Sequence, residues 1–259
     1  SPCAAIGHTV ATPNDLLARY ARRPAAERRE PPAKGGSKRR EGAARVIYVD
    51  AAAAGPGDGR SWKTAFRSLQ AAIADAGEDR AEVWVAAGAY TPTEGTDRGV
   101  SFQLRSSLDL YGGFRGGEAK RDDRDWKANP TVLSGDIGRQ EDASDNSFHV
   151  VVGADQAVID GFVIRDGNAD GRTYDGKGGG MINYARAPQS GPMGAATGFS
   201  PVVRNCTFER NRARAGGAVY DYDRGAPTFE RCRFVGNSAD EGGAIVDRPD
   251  PAGSAPVAP

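Results

Sequence analysis

The sequence predicts an all-β solenoid of stacked coils, and three observations carry that prediction. Glycine makes up 35 of 259 residues, nearly twice the usual share of roughly 7%, which implies frequent tight turns between short strands. Short apolar runs follow one another along the chain with a single helical stretch among them. Most telling is an internal repeat. Pro201-Val-Val-Arg-Asn-Cys206-Thr-Phe208-Glu-Arg-Asn211, followed by Gly216-Gly217-Ala218-Val219, recurs as Pro227-Thr-Phe-Glu-Arg-Cys232-Arg-Phe234-Val-Gly-Asn237 with Gly242-Gly243-Ala244-Ile245, every correspondence 26 positions apart. A fixed period in the twenties with glycine turns is the mark of coils that stack on their neighbours.

Residues 1–45 read as a flexible basic arm, with ten Lys/Arg against four acids and a short helix near Asn14 to Arg23. Pro31-Pro32 and Gly35-Gly36 interrupt it, and it has too few apolar residues for a core. From residue 46 the pattern becomes orderly. Val46–Val49 is a strand, and Ala65 to Ala76 carries Phe66, Leu69, Ala72 and Ile73 at helical spacing. Strands follow at Val83–Val85, Ser101–Leu104, Leu108–Tyr111, Thr131–Leu133, Phe148–Val152 and Ala157–Ile164. Gly161-Phe162-Val163-Ile164 and Gly179-Gly180-Met181-Ile182 form an earlier copy of the repeat, with an insertion between Asn183 and Pro201.

The repeat also fixes which side chains face inward. Cys206 and Phe208 are two apart, as are Cys232 and Phe234, so each pair shares one face of its strand and Thr207 and Arg233 take the other. Cys and Phe are among the most often buried residues and Arg among the least, so the first face is the interior. Stacking then sets Cys206 on Cys232, Phe208 on Phe234 and Asn211 on Asn237. Roughly 200 residues at about 25 per coil predict seven or eight coils, a stack near 35 to 40 Å long. The coils occupy residues 46–247. Residues 248–259 form a Pro/Ala-rich tail, where a coil just completed would leave unpaired edges, so a fragment of a longer protein is expected.

Composition excludes several classes. Lys+Arg and Asp+Glu both number 34, which speaks against a nucleic-acid binder, and no apolar run approaches the roughly 20 residues of a membrane-spanning helix. Three cysteines make no disulfide framework: Cys206 and Cys232 read as stacked apolar thiols, and Cys3 stands alone on the arm. Two histidines, His8 and His149, give little material for zinc or a Ser-His-Asp arrangement.

Phe208-x-x-Asn211 with Gly216-Gly217-Ala218-Val219, and Phe234-x-x-Asn237 with Gly242-Gly243-Ala244-Ile245, resemble the FxxN and GGA(I/L/V) repeats of chlamydial polymorphic outer-membrane proteins. Tyr48-Val49-Asp50, Trp62-Lys63-Thr64-Ala65-Phe66, the Val83–Tyr90 run, Leu110-Tyr111-Gly112-Gly113-Phe114 and Leu133-Ser134-Gly135-Asp136 resemble the capping region of extracellular pectate-lyase-like proteins. The resemblance spans about residues 46–247. It implies a right-handed parallel β-helix with an N-terminal cap helix, secreted or on the outer surface of a bacterium. Fold is implied more firmly than chemistry, since such proteins include lyases, hydrolases and adhesins.

Two constellations are candidates for chemistry. Arg172, Tyr174, Asp175 and Lys177 lie in a segment bearing an insertion, and could supply the base and the cation that β-elimination from an acidic glycan needs. The Gly-His-Gly motif of the hydrolases in this group is not present. Asp166, Asn168 and Asp170 followed by Gly171 match the opening of a calcium loop, but Lys177 stands where a bidentate Glu would be needed. No cofactor is therefore expected beyond weak calcium at these three residues. The role that follows is non-catalytic adhesion, the recognition of a polysaccharide or cell-surface partner along a repetitive side face. Lyase action on acidic glycans and a structural stalk are the alternatives.

Overall fold

The computed structural model describes residues 44–55, 57–184, 200–222 and 227–248. It is predominantly β, and its four sheets are paired in parallel throughout. Sheet one contains Arg45–Val49, Ala81–Ala86, Leu108–Phe114, Val158–Asp160, Val202–Arg204 and Thr228–Glu230. Sheet two runs through Gly88–Tyr90, Thr131–Ser134, Phe162–Arg165, Thr207–Glu209 and Arg233–Val235. Sheet three is short, with Asn168–Ala169, Arg212–Ala215 and Ser238–Glu241. Sheet four holds Phe102–Gln103, Val151–Val152, Met181–Asn183, Val219–Tyr222 and Ile245–Arg248. In the last three circuits the chain visits sheets one, two, three and four in turn, and after the first two of these it returns to sheet one.

The 26-residue period sets the register of the last two circuits. Val203 pairs with Phe229, Phe208 with Phe234, Ala213 with Ala239 and Tyr220 with Val246. The earlier copy joins the same columns, Ile164 on Phe208 and Met181 on Val219. The first offset is 44 and the second 38, so six extra residues lie between the two pairings, in the segment that carries Thr173–Gly176. Residues 1–43 of the basic arm, with its helix, Cys3 and His8, residues 185–199 of the insertion and the tail beyond 248 lie outside the described residues, while Arg45 at the end of the arm pairs with Ala81 in sheet one.

Corners between sheets depend on single residues with positive φ. Gly161, Asn205 and Arg231 turn the chain from sheet one to sheet two, and Asp166, Arg210 and Gly236 turn it out of sheet two. The strand expected over Ala157–Ile164 is accordingly two strands, broken at Gly161 with φ 86°. Behind the second corner Asn211, fully buried, ties neighbouring circuits together. Its Nδ2 donates to Ile164 O at 2.9 Å and to Asn237 Oδ1 at 3.0 Å, and its Oδ1 accepts from Gly167 N at 3.0 Å. Phe208 is the core residue of this motif and Asn211 satisfies the corner's backbone, which accounts for their spacing.

The double glycines have a steric cause. A Cβ on Gly217 would lie 2.4 Å from Gly243 O and 2.5 Å from Ser238 O, so backbone occupies the space a side chain would need.

Phe208 is buried and stacks on Phe234 with centroids 5.2 Å apart and planes 6° from parallel. Phe234 itself is half-buried, as is Cys232, while Cys206 is buried. The sequence placed all four inside. The difference arises because no described strand lies beyond the final circuit to cover them.

The number of coils differs more. Among the described residues sheet one has six strands rather than the seven or eight coils expected, a stack of roughly 24 Å at the spacing of paired strands. Early circuits are long because segments such as 115–130 and 135–150 leave the sheets. Residues 115–130 include Arg124, whose guanidinium forms a buried ion pair with Asp160 at 3.0 Å and lies over the Trp126 ring at 5.0 Å. The aromatic residues of the N-terminal motifs pack together outside sheet one: Trp84 stacks on Phe114 at 4.9 Å, and Tyr48 meets Trp62 edge-on at 4.9 Å. Trp62 Nε1 donates to Glu118 O at 2.9 Å.

The helix, α1, spans Leu69–Ala76. It starts four residues later than the apolar spacing predicts, because Ser68 accepts a hydrogen bond from Ala71 N and caps it there. Phe66 pairs instead with Val49 as a parallel bridge. Leu69, Ala72, Ile73 and Ala76 form the buried face, which packs on Arg45–Val49, Ala81–Ala86 and Phe102–Gln103. Among the described residues, no helix is long and apolar enough to cross a membrane.

Two stability outcomes follow. Phe208→Ala should cost about 3 to 5 kcal/mol and Phe234→Ala distinctly less, as read by urea unfolding followed by tryptophan fluorescence. Gly217→Ala should destabilise by about 1 to 3 kcal/mol through backbone overlap, with a lower urea midpoint and an unchanged slope.

Candidate functional site

The four residues proposed for glycan chemistry sit on one surface segment, between sheets three and four. Arg172 initiates the short helical turn Thr173–Gly176, and Lys177 follows it. Structure divides the group into two contacts. Tyr174 and Lys177 come together: the Lys177 ammonium lies 5.5 Å from the centre of the Tyr174 ring, 4.8 Å from Tyr220 and 5.3 Å from Tyr222. Asp175 turns to His149, with Oδ1 4.0 Å from Nε2. Arg172 is exposed at the edge of the segment.

Three further tyrosines, which the sequence reading had not singled out for this site, complete it. Tyr184 stacks on Tyr174 at 5.0 Å, Tyr222 meets Tyr174 edge-on at 5.7 Å, and Tyr220 and Tyr222 are 6.3 Å apart. Tyr184 and Tyr222 follow Asn183 and Asp221, at the ends of adjacent strands of sheet four. Tyr174 is 40% exposed, one of only two large apolar side chains so exposed among the described residues. The result is an aromatic shelf with a cation at its centre.

His149 lies beneath this segment and is buried. Its Nδ1 is 3.0 Å from Gly178 O. Burial pulls its imidazole below the usual range, against the opposing pull of the Gly178 carbonyl and Asp175. A mostly neutral ring that anchors the loop backbone is what this arrangement provides.

Asp166, Asn168 and Asp170 lie at the neighbouring corner, each engaged with protein groups. Arg210 Nε and Nη2 donate to the two Asp166 oxygens at 2.9 and 3.0 Å. Arg98 Nη2 donates to Asp170 at 2.8 Å, and Asn168 Nδ2 to Ala143 O at 2.7 Å. Arginine thus stands against both carboxylates that the calcium-loop pattern had selected. A pocket of about 440 Å³ opens here, lined in part by Asp136, Glu141, Arg165, Asp166, Arg210 and Arg212. Its charges largely answer one another, since Arg165 also reaches Asp166 at 3.2 Å and Arg210 reaches Glu209 at 3.1 Å.

Neither thiol belongs to a reactive site. Cys206 Sγ donates to Arg204 O at 3.0 Å, and burial pushes its thiol up well beyond the ordinary range. Burial likewise pushes Cys232 up to about 11. Compared with protein-family models, curated proteins and solved structures, the chain matches none.

In a Cys3→Ser variant near pH 8, Cys206 and Cys232 should react with a thiol reagent on the order of a hundredfold more slowly than free cysteine. Raising the pH toward the Cys232 value should release that residue first, because thiolate is the reactive form. Mass mapping of the labelled peptide reads which one reacts.

Proposed function

We propose that this chain is a right-handed parallel β-helix of the pectate-lyase-like kind, secreted or displayed on a bacterial surface, whose role is to bind an acidic glycan without cleaving it. The aromatic shelf of Tyr174, Tyr184 and Tyr222, with Lys177 against Tyr174 and Tyr222, carries this reading. A tyrosine ring offers a sugar an apolar face and a hydroxyl together. The ammonium adds attraction for a carboxylate or sulfate. Cation–π contact with Tyr174, Tyr220 and Tyr222 holds that ammonium in place.

Support for the β-helix comes from parallel columns with matched corners and the GGA-type glycines, and α1 is the cap helix of this reading. The division of the Arg172, Tyr174, Asp175 and Lys177 group favours binding over elimination, since a base and a partner for the substrate carboxylate must face one sugar.

Titration of the full chain with oligosaccharides of pectate, alginate and glycosaminoglycans should show binding of at least one. Tyr174→Ala with Tyr222→Ala should weaken it at least about tenfold while circular dichroism stays unchanged. Ultraviolet absorbance should reveal no unsaturated product. Product formation that Lys177→Ala abolishes would establish the lyase instead, and no binding to any glycan would leave the stalk.

A further inference from the structure

Sheet four brings one column of polar positions into register. Asn183 pairs with Asp221, and Asp221 with Asp247. The preceding circuit has Gly153 at this level, next to Val152, which pairs with Ile182. Side chains alternate along these strands. Ile182, Tyr220 and Val246 cluster on one face, so Asn183, Asp221 and Asp247 take the other, together with the buried Met181, Val219 and Ile245.

Asn183 is 0% exposed and Asp221 1%, yet neither is satisfied. Nδ2 and Oδ1 of Asn183, and both carboxylate oxygens of Asp221, have no hydrogen-bond partner. Polar atoms so deeply buried are nearly always paired. Gly153 provides no side chain to answer the amide, and a Cβ there would lie 1.9 Å from Asn183 Oδ1. The charged group facing Asp221 is a second carboxylate, Asp247. Burial first, and then Asp247, push the Asp221 carboxyl up to about 8. The column's one amide donor, Asn183 Nδ2, bonds to neither carboxylate, so the buried oxygens of Asn183 and Asp221 stand without a hydrogen bond and call for a positive charge.

We infer that Asn183, Asp221 and Asp247 form a site for calcium or a similarly sized hard divalent cation, reached from solvent through the exposed Asp247. Adjacent strands lie about 4.8 Å apart, close to twice a calcium–oxygen distance of about 2.4 Å. An ion between two rungs can therefore meet an oxygen from each without altering the register. Magnesium, at about 2.0 to 2.1 Å, would have to draw the strands together. Two carboxylates and one amide are few ligands, which sets the expected dissociation constant on the order of 10⁻⁴ to 10⁻³ M. The site is separate from Asp166 and Asp170 and does not rest on the glycan reading.

Thermal unfolding of the full chain at constant ionic strength tests it. Calcium chloride at up to about 10 mM should raise the melting temperature, and magnesium should raise it less. Asp221→Asn should remove the calcium shift, whereas Asp166→Asn with Asp170→Asn should retain it. Asp247→Asn, at an exposed position, should raise the calcium midpoint roughly tenfold, which keeps the test decisive should Asp221→Asn fail to fold. No calcium shift in the native chain, or a shift that survives both Asp221→Asn and Asp247→Asn, would overturn the inference; a proton would then serve Asp221.

Discussion

Parallel pairing in a constant register sets each residue on its counterpart one circuit away, and this constraint governs which charges the structure can hold. Stacked like charges repel at the spacing of adjacent strands, so a column that carries one charge is stable when its neighbour answers it. Asp160 pairs with Arg204 and Arg204 with Glu230, the latter pair making an ion contact at 3.0 Å. Arg165 and Glu209 share another column. At the corners Asp166 meets Arg210, and Arg231 Nε donates to Asn205 at 2.7 Å. The column of Asp221 and Asp247 breaks this rule, which is what gives it interest.

The corners add a second constraint of the same kind. Non-glycine residues with positive φ are strained, yet Asp166, Asn205, Arg210 and Arg231 all adopt it. Their side chains project from the bend and bond to one another across circuits, offsetting part of the strain. Side chains at the corners therefore do structural duty. The segment that departs from the repeat is free of that duty, and its six additional residues carry Tyr174 out to meet Tyr184 and Tyr222.

How much could be read from the residues alone depended on whether their neighbours were at a constant distance in the chain. Cys206, Phe208, Asn211 and the double glycines recur after 26 residues, so their faces and partners could be derived. The early circuits have no such period, because segments such as 115–130 leave the sheets, and dividing chain length by coil length overestimated the coils. Capping by Ser68 moved the start of α1 against its apolar pattern. Tyr174 and Lys177 were legible as an exposed loop, but Tyr184 and Tyr222 join them through pairings 38 residues apart. The one available signal for the acidic column was that Asp221 and Asp247 share the 26-residue period. It was hidden because Asn183 lies outside that period and Gly153 has no side chain to show its place.

The backbone contact at Gly217 bears on how such a chain can grow in evolution. Gly217 meets Gly243 as Gly179 meets Gly217, so the same join serves on both sides of a circuit. Tandem duplication of the gene segment for one circuit would insert a copy whose upper and lower surfaces already fit its neighbours. Length can change by whole repeats without the rest of the protein being redesigned, while each new copy becomes free to acquire its own loop.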